Sequence, residues 1–232
     1  MVAAADRLPL GTTGSTKAYR LVNSKYPPVE LFDDVADTAE FEALYEIQAL
    51  TNPRLLTLTG DLNLVPQEEI PFGIPGCSYA IAPFTHVNPD GSRFSDGSFG
   101  VLYLADRMAT ALAEVRYHQE RYWRGVEGLQ YERFVLRGLA CTFDCQVRDA
   151  TVLDPSDPIY NPEDYGPARK LGRALRRQKS PGIRFFSVRN PGAICWGLFS
   201  PRPVQKIVQS THYEMIWSDG GINAVNRVHP VS

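Results

Sequence analysis

Short apolar runs, most of them rich in β-branched and aromatic residues, recur along this chain, and only three stretches read as helices. After a small, polar, Gly/Thr-rich arm at 1–18, a first strand is expected at Tyr19–Val22. Beyond the Pro27–Pro28 break, Phe41, Leu44, Tyr45 and Ile47 recur at helical spacing and predict a helix over Val29–Leu50. Leu55–Thr59 is a candidate strand, and the prolines at 66, 71 and 75 interrupt the chain beyond it. Turn signals fill Pro83–Phe99 and lead into a strand at Phe99–Ala105.

Asp106 is placed to cap a helix over Arg107–Trp123, with Met108, Ala111, Leu112, Val115 and Tyr122 as its buried face. Strands are expected at Phe134–Phe143, Thr151–Asp154, Gly182–Val188, Ala193–Phe199, Lys206–Gln209 and Tyr213–Trp217, with a third helix at Pro167–Gln178. Short strands in this number around so few helices indicate an α+β fold rather than a doubly wound sheet. The expected organisation is an arm at 1–18 followed by one domain over 19–232.

Composition narrows the function classes. The 232 residues are 44% hydrophobic, enough for a core without staples, and the formal net charge of −2 supplies no field to hold a nucleic-acid backbone. One basic run, Arg169–Lys179, is either a solvated helix face or a docking surface for a phosphate or an acidic partner. The four cysteines lack zinc-ligand spacing, so no metal is expected and the thiols read as small buried hydrophobes of a reducing compartment. With no basic, apolar leader and no run approaching the roughly twenty apolar residues of a membrane span, the expected location is the cytoplasm.

The usual catalytic signatures are missing: no GxGxxG, no GxxxxGK[ST], no HExxH and no GxSxG. His86, His118, His212 and His229 are scattered and read as structural or surface residues. A different series stands out, namely YR at Tyr19–Arg20, RFS at Arg93–Ser95, GVLYLA at Gly100–Ala105, ALAE at Ala111–Glu114 and GIRFFSVR at Gly182–Arg189. In this order the motifs resemble the RES-domain family, named for an arginine, a glutamate and a serine, over about Tyr19–Trp217.

The resemblance implies an ADP-ribosyltransferase-like core of short mixed and antiparallel strands flanked by helices, with NAD+ as substrate and no cofactor. It also implies a toxin that degrades NAD+ and is held by a cognate antitoxin with an Xre-like helix-turn-helix domain covering the active site. The residues it carries over are Arg20, Arg93, Tyr103, Glu114 and Ser187. Physical chemistry gives each a task. A guanidinium forks onto a diphosphate, so Arg20 and Arg93 are expected to bind it. Tyr103, in an apolar strand, brings a ring to the nicotinamide and a hydroxyl to the ribose or diphosphate.

Glu114 is expected to face the sugar carbon, where departure of a neutral nicotinamide builds positive charge that a fixed carboxylate can stabilise. Ser187 is expected to bind rather than attack, because no histidine base is close to it in sequence, and Arg189 is a further candidate for phosphate. Water or inorganic phosphate would accept the ADP-ribose. Two alternatives stay open: transfer of ADP-ribose to a macromolecule, and a non-catalytic interaction protein. Leu112 stands two residues before Glu114, where many protein-directed transferases carry a second carboxylate, and so favours a small acceptor.

Overall fold

A computed structural model describes residues 5–25 and 59–229, together with Val35, Asp37, Ala39, Glu40, Phe41, Ala43 and Tyr45. Within them the chain builds one nine-stranded sheet. The strands are β1 (Leu10–Thr12), β2 (Thr16–Asn23), β3 (Leu102–Ala105), β4 (Tyr131–Phe143), β5 (Gln146–Asp149), β6 (Gly182–Phe186), β7 (Ile194–Leu198), β8 (Val204–Ser218) and β9 (Gly221–Val228). Their order across the sheet is β1-β5-β6-β7-β3-β2-β4-β8-β9. The β5–β6 pair is parallel and the other pairs are antiparallel, so this is a mixed sheet. At the centre, β2 runs in full register with β4, from Thr16↔Phe143 to Asn23↔Leu136, but meets β3 only at Tyr19↔Ala105.

Three α-helices are described: α1 (Cys77–Thr85), α2 (Met108–Arg124) and α3 (Gly166–Arg177). They divide the core into two layers, one on each face of the sheet, because successive strand side chains point to opposite sides. One layer joins α2 and α3, through Ala111, Leu112, Val115, Ala168, Leu171 and Leu175, to Leu21, Phe185 and Phe199. The other joins α1, through Cys77, Ala80, Ile81 and Phe84, to Ala18, Leu104, Leu139 and Ile207. This is the α+β arrangement expected from the pattern of short strands.

Several boundaries differ from the sequence expectations, each for a local reason. Thr151–Asp154 is not a strand: Asp149 Oδ1 accepts from Thr151 N–H at 2.9 Å and from its hydroxyl at 2.6 Å, which ends β5 and starts a 3-10 turn over Ala150–Val152. Lys206–Gln209 and Tyr213–Trp217 belong to one strand, β8, which accommodates an irregularity opposite Arg137–Leu139. Strand β9 and helix α1 were not foreseen. Helix α1 is mostly apolar, buries its polar Ser78 and Thr85 as well, and contains Pro83, so no amphipathic period marks it.

Asp106 does not cap α2 directly. The residue at that position is Arg107, and Asp106 accepts instead from the Thr110 hydroxyl at 2.7 Å. The far end of the helix is anchored by Trp123 beside Phe134, leaving Tyr122 65% exposed rather than buried. Residues 10–12 of the expected arm form β1 against β5. The expected helix at 29–50 and strand at 55–59 lie outside the described residues, apart from helical backbone at 39–41, 43, 45 and 59.

Candidate functional site

The β3–α2 connection is short, so Tyr103 and Glu114 arise within one compact unit. Strand β3 delivers Tyr103 to the face covered by α2, and Glu114 lies two turns into that helix. Opposite them, the chain leaves the sheet after β6 and is turned back at once by Ser187 N–H donating to Ala193 carbonyl at 2.8 Å. That turn aims Ser187 at the helix. Its hydroxyl donates to Glu114 Oε1 at 2.6 Å and accepts from the N–H groups of Asn190 at 3.0 Å and Arg189 at 3.3 Å. The backbone N–H of Arg189 also reaches Glu114 Oε1 at 3.4 Å. A buried hydroxyl and a backbone donor therefore fix one carboxylate oxygen, a charge-assisted arrangement that holds the side chain in one rotamer.

Arg93 is 8% exposed, and among the described residues no carboxylate lies within ion-pair distance of it. Its Nη1 donates to the carbonyls of Ile159 and Asn161, both at 3.0 Å, and its guanidinium stacks on Tyr165 at 4.4 Å from the ring centre. Burial lowers its pKa below the usual arginine value, while Tyr165 and then Glu114 pull the other way; the charge of Glu114 is thus felt at Arg93. A surface salt bridge does not describe this residue.

Tyr103 joins the parts. Its hydroxyl pairs with Ser92 Oγ at 2.8 Å and accepts from Phe94 N–H at 2.9 Å, so it holds the backbone on both sides of Arg93. Gly197 is its neighbour across the sheet. Burial pushes the phenol up to about 12, so the hydroxyl keeps its proton at neutral pH.

Arg20 approaches from elsewhere. On β2 it shares the alternation of Ala18, which packs in the other core layer, and its Nη1 donates to Tyr103 carbonyl at 3.3 Å. Burial pulls its pKa down to about 10. Arg20, Tyr103, Ser92, Ser95 and Asn88 line a half-open cavity of about 180 Å³. Arg93, Glu114 and Ser187 are not among its lining residues. The five sequence candidates thus form a cluster of Arg93, Glu114 and Ser187 and a neighbouring pocket with Arg20, with Tyr103 between them.

The basic run proves to be largely structural. Arg169 donates to the carbonyls of Ser92 at 3.0 Å and Asp90 at 2.7 Å, Arg173 pairs with Asp96 at 3.2 Å, and Arg176 donates to Phe199 carbonyl at 2.9 Å. Helix α3 therefore grips the loop that carries Arg93. The aromatic partners Tyr165 and Tyr117, each stacked under an arginine, were not foreseen, since nothing in local spacing marks them. Among the described residues no group of three or more His, Cys, Asp or Glu is placed to hold a metal, and no helix is long and apolar enough to cross a membrane.

Comparison with known proteins adds three findings. The family model described as the RES domain matches residues 70–218, a span holding Arg93, Tyr103, Glu114 and Ser187 but not Arg20. The chain is 28% identical over 213 residues to the uncharacterized protein y4oC of Sinorhizobium fredii (strain NBRC 101917 / NGR234), covering 86% of this chain and 82% of that one. Among solved structures it is similar to a chain in the crystal structure of the M. tuberculosis MbcT–MbcA toxin–antitoxin complex, at 14% identity and a TM-score of 0.38, over 53% of this chain and 73% of that one. That superposition is too loose to carry function across. The family match, spanning well over half of the sequence and taking in four of the five candidate side chains, leads to one conclusion: the chain belongs to the RES-domain family.

Proposed function

We propose that the protein cleaves the nicotinamide–ribose bond of NAD+ and acts as the toxin of a bacterial toxin–antitoxin pair, arresting growth in the cytoplasm by depleting NAD+. The observation that carries this reading is the fixed Glu114 carboxylate, held by Ser187 at 2.6 Å, in the electrostatic reach of the buried Arg93, which forms no ion pair among the described residues. NAD+ brings two charges that fit such a site. Its diphosphate suits the guanidinium of Arg93, while Arg20, in the neighbouring pocket on the other face of the sheet, supports the backbone of Tyr103. Its ribose cation, formed as nicotinamide leaves, suits Glu114.

In this mechanism Glu114 orients the ribose and stabilises developing charge at its anomeric carbon. Ser187 keeps the carboxylate aimed. Tyr103, protonated and bound to the loop of Arg93, shapes the wall between the two halves of the site. Nicotinamide departs as a neutral amide, so no strong acid is needed. Water or inorganic phosphate then bonds to the ribose carbon and gives up its proton.

Incubating the purified chain with NAD+ and resolving the products by chromatography is the test. Free nicotinamide is expected, with ADP-ribose or its 1″-phosphate identifying the acceptor. Wild-type protein that releases no nicotinamide refutes the reading. Label passing from NAD+ to protein or nucleic acid in a lysate would instead establish the transferase alternative, against which Leu112 two residues before Glu114 speaks. The partner that this reading implies is an antitoxin with an Xre-like helix-turn-helix domain that closes the active site.

A further inference from the structure

We infer that Arg189 is a second diphosphate-binding residue beside Arg93, with Tyr117 as the residue that positions it; the inference rests on the NAD+ reading above and deepens it. The run GIRFFSVR ends on this arginine, and the fold brings it back to α2 directly after Ser187. Its backbone is tied to the acid through the N–H contact with Glu114 Oε1 at 3.4 Å. Its side chain is treated differently from that of an ordinary surface arginine.

The guanidinium lies on Tyr117, 3.2 Å from the ring centre, and Nη2 donates to Pro162 carbonyl at 2.5 Å. Its Nε is buried with no hydrogen-bond partner. No carboxylate among the described residues stands within ion-pair distance, and the nearest acid along the stack, Glu163, accepts instead from the Tyr117 hydroxyl at 2.8 Å. The charge is therefore held in place by a π face and a neutral carbonyl, and it is compensated by neither.

Arg93 is built the same way. It stacks on Tyr165 and donates to the carbonyls of Ile159 and Asn161, in the same loop that offers Pro162 to Arg189. The positive charge of Arg189 is felt at Arg93 and disfavours its protonated form. Two guanidiniums near enough to oppose each other, neither in an ion pair among the described residues, leave positive charge available to an anion beside Glu114, which the Arg189 backbone N–H contacts and whose charge reaches Arg93. Arginines stacked and immobilised in this manner lose little further entropy on forking onto an anion. A ligand with two phosphates joined and a ribose attached is the chemistry that matches.

The experiment compares wild type with Arg189→Gln, Arg189→Lys and Tyr117→Leu, using ADP-ribose and inorganic pyrophosphate as probes in calorimetry and NAD+ and nicotinamide riboside as substrates. For Arg189→Gln, ADP-ribose affinity is expected to fall tenfold or more. KM for NAD+ should rise by a similar factor, with a smaller change in kcat, while cleavage of the phosphate-free riboside falls much less. Arg189→Lys should recover part of the affinity, and Tyr117→Leu should weaken ADP-ribose binding with Arg189 intact. Should Arg189→Gln fail to fold, the lysine and leucine variants carry the same comparison.

A folded Arg189→Gln chain that binds ADP-ribose as wild type does overturns the inference, as does an equal loss on NAD+ and riboside. If wild type binds ADP-ribose, loses it on Arg189→Gln and yet releases no nicotinamide, the anion site stands and the cleavage reading falls.

Discussion

Substituting Gly172 by alanine separates two physical effects of opposite sign. Gly172 lies in the interior of α3, where helix propensity alone favours alanine by about 1 kcal/mol. Packing opposes this. An added Cβ would stand 1.9 Å from Phe94 carbonyl oxygen, 2.8 Å from its carbonyl carbon and 3.0 Å from its Cβ. Two of these are backbone atoms of the Arg93 loop and cannot rotate away, so the helix and the loop must separate by roughly 1 to 2 Å to restore ordinary contact. Overpacking of this kind costs about 1–3 kcal/mol. Separation also strains the bonds from Arg169 to Ser92 and Asp90, each a charged-donor hydrogen bond worth about 1.5–3 kcal/mol.

If one of those bonds is lost, the total is about 2.5–6 kcal/mol, less the propensity gain of about 1, or a net loss of about 1.5–5 kcal/mol. For a chain of 232 residues, at roughly 2–4 °C per kcal/mol, Tm should fall by about 3–20 °C. Thermal melting followed by circular dichroism reads the effect, with Gly11→Ala as control, since a Cβ there finds no atom closer than 4.0 Å. Affinity for ADP-ribose should drop in parallel, because the loop carrying Arg93 moves. A Gly172→Ala chain that melts at or above the wild-type temperature would show that the approach of α3 to Phe94 does not set this loop.

Three further outcomes are expected from the site and its surroundings. Glu114→Gln keeps an acceptor for the Ser187 hydroxyl, so its melting curve should match wild type while turnover of NAD+ falls about 10²–10³-fold; steady-state kinetics at unchanged turnover would remove Glu114 from the chemistry. Tyr103→Phe strips the acceptor from Phe94 N–H, a buried group, and should cost about 1–3 kcal/mol in urea unfolding while raising the KM for NAD+. Stability should fall as pH rises from about 9 to 10. Burial pushes Cys141 up to about 12, Cys145 to about 11 and Cys195 higher still, so the folded chain keeps thiol protons that the unfolded chain releases from about pH 9. The stabilisation is complete below that pH and is lost as pH climbs toward the folded values. Urea midpoints that stay flat through this window would contradict it.

The sequence was legible where a residue's role is local. Alternation and turn residues located β2, β4, β6 and β7, and helical spacing located α2, because those patterns arise from a single face meeting a single core layer. Helix α1 escaped because it is short, mostly apolar and interrupted by Pro83, and β8 looked like two strands because exposed polar residues interrupt its middle. At the site, the motif order brought Arg93, Tyr103, Glu114 and Ser187 to attention. What it did not convey was the support: the stacks of Arg93 on Tyr165 and Arg189 on Tyr117, and the use of the basic helix as a clamp on the Arg93 loop. Such partners lie far apart in the chain, and only tertiary contact selects them. Position alone also did not reveal that Arg20 enters from the layer opposite Glu114.

The pairing of β1 and β2 with β5 and β4 has a consequence for biosynthesis. Leu10 waits for Arg148, and Thr16 for Phe143, so β1 stays unpaired, and β2 meets nothing but the single β3 position Ala105, until β4 and β5 have been translated. Ser187 emerges later still, about 94 residues after Arg93, an interval of roughly 5–20 s at ordinary elongation rates. A ribosome-bound fragment that stops short of Ser187 therefore holds no aimed carboxylate. If the protein consumes NAD+ as proposed, that activity cannot precede the emergence of Ser187, whose hydroxyl holds Glu114 in place.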